Sequence, residues 1–176
     1  MDVTEIRKKT ESRSFAAILF INTNLVNPSD ILSEAADYLY GMETIRTDYL
    51  GELRTSALHL ASGNTIITDA PVDNQGKGEA FSPTDLLAAS LGSCMATIMG
   101  IAGRTHGIPL EGMQLKITKV MAAAPRRVAT IRVDFDMPKH PFSEKEKNIL
   151  EQAARACPVA LSLHPDLKQE VIFNYQ

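Results

Sequence analysis

From Thr44 onward the apolar positions alternate with polar ones. "TIRTDYLGELRTSALHLASGNTIITDA" reads as two strand-like runs separated by "SGN", a turn signal suited to a hairpin. A polar loop, "PVDNQGKGEAF", leads into "SPTDLLAASLGSCMATIMG", where the spacing changes to that of a helix. Two more alternating runs, "LEGMQLKITKVMAAA" and "RRVATIRVDFDMP", predict a second hairpin joined around Pro125. "SEKEKNILEQAARAC" returns to helical spacing, with Ser143 as cap and Glu146 at the capping-box position, and "LKQEVIFNYQ" is a last strand. Antiparallel hairpins with helices against a sheet predict an α+β fold rather than a doubly wound one. No internal repeat recurs at a fixed period.

The long helix has a definable start. Ser82 suits the N-cap, Pro83 the first helical position, and Asp85 the place where a carboxylate completes a capping box. On a helical wheel Leu87, Leu91, Ile98 and Ile101 lie on the side of Cys94, whereas Ala89, Gly92, Ala96, Gly100 and Gly103 gather on the other. Asp85 falls opposite Cys94. Residues 86–103 carry no charge, which raises the question of a membrane span. Ser90, Ser93, Thr97 and the three glycines make the run too polar and too small for one, and a helix buried all round in a soluble core is expected.

Residues 1–43 differ from the rest: a polar start, an apolar run from Phe15 to Ile21, then "NPSDILSEAADYLYG", where Ser29 or Asp30 could cap a short helix ending at Gly41. The expected organisation is therefore an N-terminal extension, 1–43, and one domain, 44–176. The apolar run after a basic start is a short match to a secretory signal, but Glu11 interrupts the basic region and no A-x-A pattern follows. A cytoplasmic protein is expected. With 18 basic against 21 acidic residues the formal charge is -3, so nothing favours binding to nucleic acid or to an anionic membrane. The four histidines are scattered without ligand spacing, and no glycine-rich loop joins a strand to a helix as a phosphate site requires. No metal or bound cofactor is expected.

The chemistry of interest lies in the two cysteines, Cys94 and Cys157. A disulfide framework needs more bridges than two cysteines can make, although one permanent link over this span would be worth about 4 kcal/mol. In an uncharged helix, Cys94 reads first as a small buried hydrophobe, with a protected, reactive thiol as the alternative. It sits too far along the helix to feel the dipole, so reactivity would require a cation from another element. Cys157 precedes Pro158, which ends one helix; if "PVALSLH" starts another turn, the local dipole favours thiolate there. By local position alone Cys157 is the more activated of the two.

The run "FSPTDLLAASLGSCMATIMGIAGRTHGI", followed by "CPVALSLHPDL", closely resembles the OsmC/Ohr family of thiol-dependent peroxidases over residues 44–176. The motifs are the Pro-x-x-Leu-Leu-x-Ala-x-x-x-x-Cys helix from Pro83 and the Cys-Pro pair at Cys157. The resemblance implies an intertwined homodimer with active sites at the subunit interface. It makes Cys94 the peroxidatic thiolate, which attacks an organic hydroperoxide, and Cys157 the thiol that resolves the sulfenic acid to a disulfide. It also implies an external lipoyl-type dithiol as reductant, a part in oxidative or osmotic stress defence, and an arginine assisting Cys94. Arg54 is the preferred candidate over Arg46. In the peroxidase branches a glutamate follows the helix-opening proline and orients that arginine; here Thr84 stands there, so the sequence looks more like the less characterised OsmC-like branch. The competing expectation is a non-enzymatic dimer that binds an apolar small molecule and uses its cysteines only as core residues.

Overall fold

The structure, a computed structural model, describes residues 43–176. The extension helix expected before Gly41 lies outside the described residues. Thr47–Leu58 and Asn64–Gln176 form one compact unit that holds all the chemistry below; 43–46 and 59–63 belong to another. In the latter, the Leu60 N–H donates to the Thr44 carbonyl at 3.1 Å.

Three strands, not two, precede the long helix: β1 (Ile45–Gly51), β2 (Arg54–His59) and β3 (Thr65–Asp69), paired in that order. The first alternating run is broken at Gly51, Glu52 and Leu53, all with positive φ (84°, 50° and 62°), which folds the chain back within what reads as a single strand. Glycine tolerates this geometry freely, but glutamate and leucine do not, so no Asn-Gly or Asp-Gly signature announces the turn. β2 and β3 pair antiparallel, Arg54 opposite Asp69. The apolar side chains of this sheet stay largely in solvent: Tyr49, Leu53, Ile66 and Ile67 are all exposed.

Helix α1 (Pro83–His106) begins as the sequence dictates. Ser82 Oγ accepts the Asp85 N–H and the Asp85 carboxylate accepts the Ser82 N–H, a complete capping box, and Gly107 closes the helix with φ 70°. Among the described residues it is the one helix long and apolar enough to cross a membrane. It is not buried all round, however. Ala88, Leu91, Gly92, Met95, Met99 and Gly103 form the buried stripe, while Ser90, Ser93, Thr97, Gly100, Ile101 and Arg104 form an exposed one. The small-residue face does admit close neighbours: a Cβ on Gly92 would meet Ile117, and one on Gly103 the Ile108 carbonyl.

The second sheet runs β4 (Gln114–Ala123), β5 (Arg126–Asp136) and β6 (Lys168–Asn174), with β5 central. β4 and β5 form the expected hairpin around the cis Ala124–Pro125 bond, with a bulge at Val120/Met121. β6 pairs parallel to β5, beside the antiparallel hairpin, a pairing the sequence left open. The parallel return needs a crossover, which α2 (Glu144–Arg155) and the short α3 (Pro158–Ser162) supply. α2 starts with the expected Ser143/Glu146 capping box. Ile131, Val133, Phe135 and Met137 alternate inward and meet Leu91, Met95, Met99 and Leu150 in one core. Each such side chain, taken from water, contributes about 1.5–3 kcal/mol.

Candidate functional site

α1 packs against both α2 and α3, and this brings the two cysteines together. Cys94 is half-buried on the edge of the core; Cys157 has no exposed surface. Both thiols are free, and Cys94 lies near enough to Cys157 to influence its ionisation. Cys157 is the N-cap of α3, where the Ala160 N–H donates to its Sγ at 3.3 Å. The Gln169 side chain donates to the Ala160 carbonyl at 2.9 Å, fastening α3 to β6.

The cap geometry matches the expectation for Cys157; its electrostatics reverse it. Burial pushes the Cys157 thiol up, the Ala160 N–H offsets only part of that, and the adjoining Cys94 adds to it. A hydrogen bond from a one-turn helix cannot replace the solvation a thiolate loses in an apolar core. Cys157 is therefore the less readily ionised thiol for its position, not the activated one.

Leu87 and Leu91 lie on the Cys94 side of α1, and Leu87 opens into a surface cavity of about 610 Å³ that Thr84, Arg127, Val128, Leu163 and His164 also line. Ile98, on the same side, is partly buried against the core, but Ile101 is 55% exposed.

Arg54 stands on β2, and its Nη2 donates to Asp69 Oδ2 at 2.9 Å and to Glu79 Oε2 at 2.6 Å. The Glu79 N–H also donates to Asp69 Oδ2, at 3.0 Å. Asp69 is fully buried, and the Arg54 guanidinium, seconded by that N–H, holds its carboxyl below the usual range. Arg54 Nε and Asp69 Oδ1 are buried without a hydrogen-bond partner among the described residues. The cation is thus joined to carboxylates within the chain rather than to either sulfur. Arg46 makes an exposed pair with Glu43 at 2.5 Å.

Thr84, the position where the resemblance implies a glutamate, meets a cation from an unanticipated direction. Lys119 on β4 sends its Nζ to Ser82 Oγ (2.9 Å), Thr84 Oγ1 (2.7 Å) and Asp85 Oδ1 (2.6 Å). Burial works against the Asp85 carboxylate, yet Lys119 and Ser82 together hold it below its ordinary range. Neither Lys119 nor the Asp69/Glu79 pair carries a local sequence signal: each is an ordinary charged residue whose partner is fixed by the tertiary fold.

A chemistry follows from these positions. A reachable thiol beside a sealed one is an arrangement suited to dithiol–disulfide exchange. Comparison with known proteins agrees with the architecture. The OsmC-like protein family matches residues 76–171. A candidate osmotic stress induced and detoxification response protein from Psychrobacter arcticus 273-4 is 54% identical, over 76% of this chain and 97% of that one, with a TM-score of 0.73. An organic hydroperoxide resistance protein OsmC from Legionella pneumophila shares the fold at 14% identity, covering 76% of this chain and 98% of that one, with a TM-score of 0.61. So does a candidate organic hydroperoxide resistance protein from Vibrio cholerae, with captopril in one of its active sites (11% identity, 87% and 96% coverage, TM-score 0.60). No curated protein matches the chain. On the matched span and the close relative together, the chain belongs to the OsmC-like family.

Proposed function

We propose that the protein is a thiol-dependent peroxidase that reduces organic hydroperoxides through a Cys94/Cys157 cycle, in the cytoplasm and in defence against oxidative or osmotic stress. The observation that carries this reading is the placement, by helix packing, of a half-buried Cys94 beside a fully buried Cys157. Cys94 as thiolate attacks the distal oxygen of ROOH. The O–O bond breaks, the alcohol leaves with a proton from solvent, and Cys94 becomes a sulfenic acid. The Cys157 thiol displaces that hydroxyl as water, forming the disulfide, and an external lipoyl-type dithiol reduces it with no bound cofactor. Leu87, Leu91 and Ile98 supply apolar surroundings suited to a bulky R group. The exposed apolar face of β1–β3 supports assembly as an intertwined homodimer, and Arg54 is the cation proposed to assist Cys94 across it.

The test is rapid mixing of the reduced protein with cumene hydroperoxide. Consumption of one equivalent with loss of both thiols is expected, and Cys94→Ser should abolish it. Full activity in Cys94→Ser, or an inert wild type, would favour the non-enzymatic reading, a dimer that binds an apolar small molecule with its cysteines as core residues.

A further inference from the structure

We infer that an external thiol reduces the Cys94–Cys157 disulfide only by attacking the Cys94 sulfur, so that the mixed disulfide forms on Cys94 and Cys157 is always the leaving group. This rests on the disulfide cycle proposed above and adds the direction in which it runs.

Burial carries the argument. Displacement at a disulfide requires the incoming sulfur to approach in line with the bond that breaks. Cys157 has no exposed surface: it is sealed by its own chain, its Sγ accepting the Ala160 N–H and its backbone N–H donating to the Ala154 carbonyl at 3.3 Å. Cys94 is partly exposed, and an approach in line with its bond to Cys157 comes from the side away from that sealed residue.

An electronic preference opposes this. Exchange is faster when the departing thiol is the more acidic one, and burial makes Cys157 a poorer leaving group than its position at a helix start alone would. A tenfold difference in acidity changes such a rate by only roughly a factor of a few. Reaching a sulfur inside the core requires local opening, which lowers the reactive population by orders of magnitude. Access therefore decides.

The step balances simply. The incoming thiolate forms a bond to Cys94 Sγ, the Cys94–Cys157 bond breaks, and Cys157 takes up a proton. The second thiol of the reductant, as thiolate, then closes onto its own sulfur and expels Cys94 as thiolate. Two electrons pass to the protein and the dithiol becomes a cyclic disulfide.

The test avoids peroxide altogether. The full chain is oxidised with the azodicarboxamide diamide, exposed briefly to 2-mercaptoethanol, quenched in acid, and its free thiol capped with N-ethylmaleimide before peptide mass mapping. At the earliest times the mercaptoethanol adduct should lie on Cys94 and the maleimide on Cys157, by at least tenfold over the reverse. In guanidinium chloride the distribution should become nearly even. An adduct mainly on Cys157, a native ratio equal to the denatured one, or failure of diamide to join the two cysteines would each overturn the inference. A protein that passes this test yet ignores hydroperoxides would sink the peroxidase function alone.

Discussion

Lys119 Nζ lies 2.7 Å from Thr84 Oγ1, so a strand cation occupies the helix start at which the resemblance implies an anion. The same ammonium reaches Asp85 and Ser82, tying β4 to the first turn of α1. Its side chain is 21% exposed and that of Asp85 41%, so solvent screens the pair in part. Lys119→Met should therefore cost about 1 kcal/mol, read as a lower denaturant midpoint with unchanged slope. The acid limb should change too. Asp85 titrates below its unfolded value, so its contribution is complete above the ordinary carboxylate pKa of about 4 and fades as pH falls through the lower folded value. Removing Lys119 should shrink that pH dependence.

Asp69 and Glu79 share one guanidinium but differ in burial: Asp69 is sealed, whereas the Glu79 side chain is 62% exposed. Asp69→Asn should lower the thermal midpoint well beyond Glu79→Gln, because it leaves Arg54 facing a neutral group in the interior. Equal effects would mean that the buried carboxylate has no special hold on the arginine.

The glycines of α1 separate by what faces them. A Cβ at Gly103 would come within 2.8 Å of the Ile108 carbonyl, a backbone atom next to the helix end that cannot swing aside. At Gly92 the nearest atom is Ile117 Cδ1, the far end of a side chain that is itself 37% exposed. Gly103→Ala should cost about 1–3 kcal/mol and Gly92→Ala less than about 1, measured by chemical unfolding.

Cys157 should resist alkylation in the native state while Cys94 reacts. Its folded pKa is raised, so its thiol stays protonated through the range near 8.5 where an unfolded cysteine ionises. Stability tied to that group is intact below this value and falls as pH rises towards the folded one. Cys157→Ala should flatten the alkaline decline, with iodoacetamide kinetics followed in parallel to assign the thiols.

The elements most legible in the sequence are those written locally. Ser82 with Asp85 and Ser143 with Glu146 fix both helix starts to the residue, because a capping box uses neighbours alone. The turn at Gly51–Leu53 was hidden, since Glu52 and Leu53 adopt a conformation their side chains disfavour. The parallel docking of β6 was equally unreadable, pairing being a long-range choice. At the site, the sequence and its resemblance point to both cysteines, but the helix end does not give Cys157 the acidity its position suggests, because burial outweighs it. Local position reveals a dipole, whereas desolvation depends on what the rest of the chain places around the sulfur. Lys119 went unnoticed for the same reason: in "LKITKVM" it is one lysine of two, and only the fold selects it.

The crossover between β5 and β6 gives the thiol pair a mechanical character. Cys157 sits in a segment anchored at both ends by strands of one sheet, and α3 within it is pinned again by Gln169. The residue has no free loop to swing on. Its alignment with Cys94 is held as a clamp holds a workpiece, so loosening the β5–β6 seam should degrade the meeting of the two sulfurs before it disturbs either cysteine's own helix.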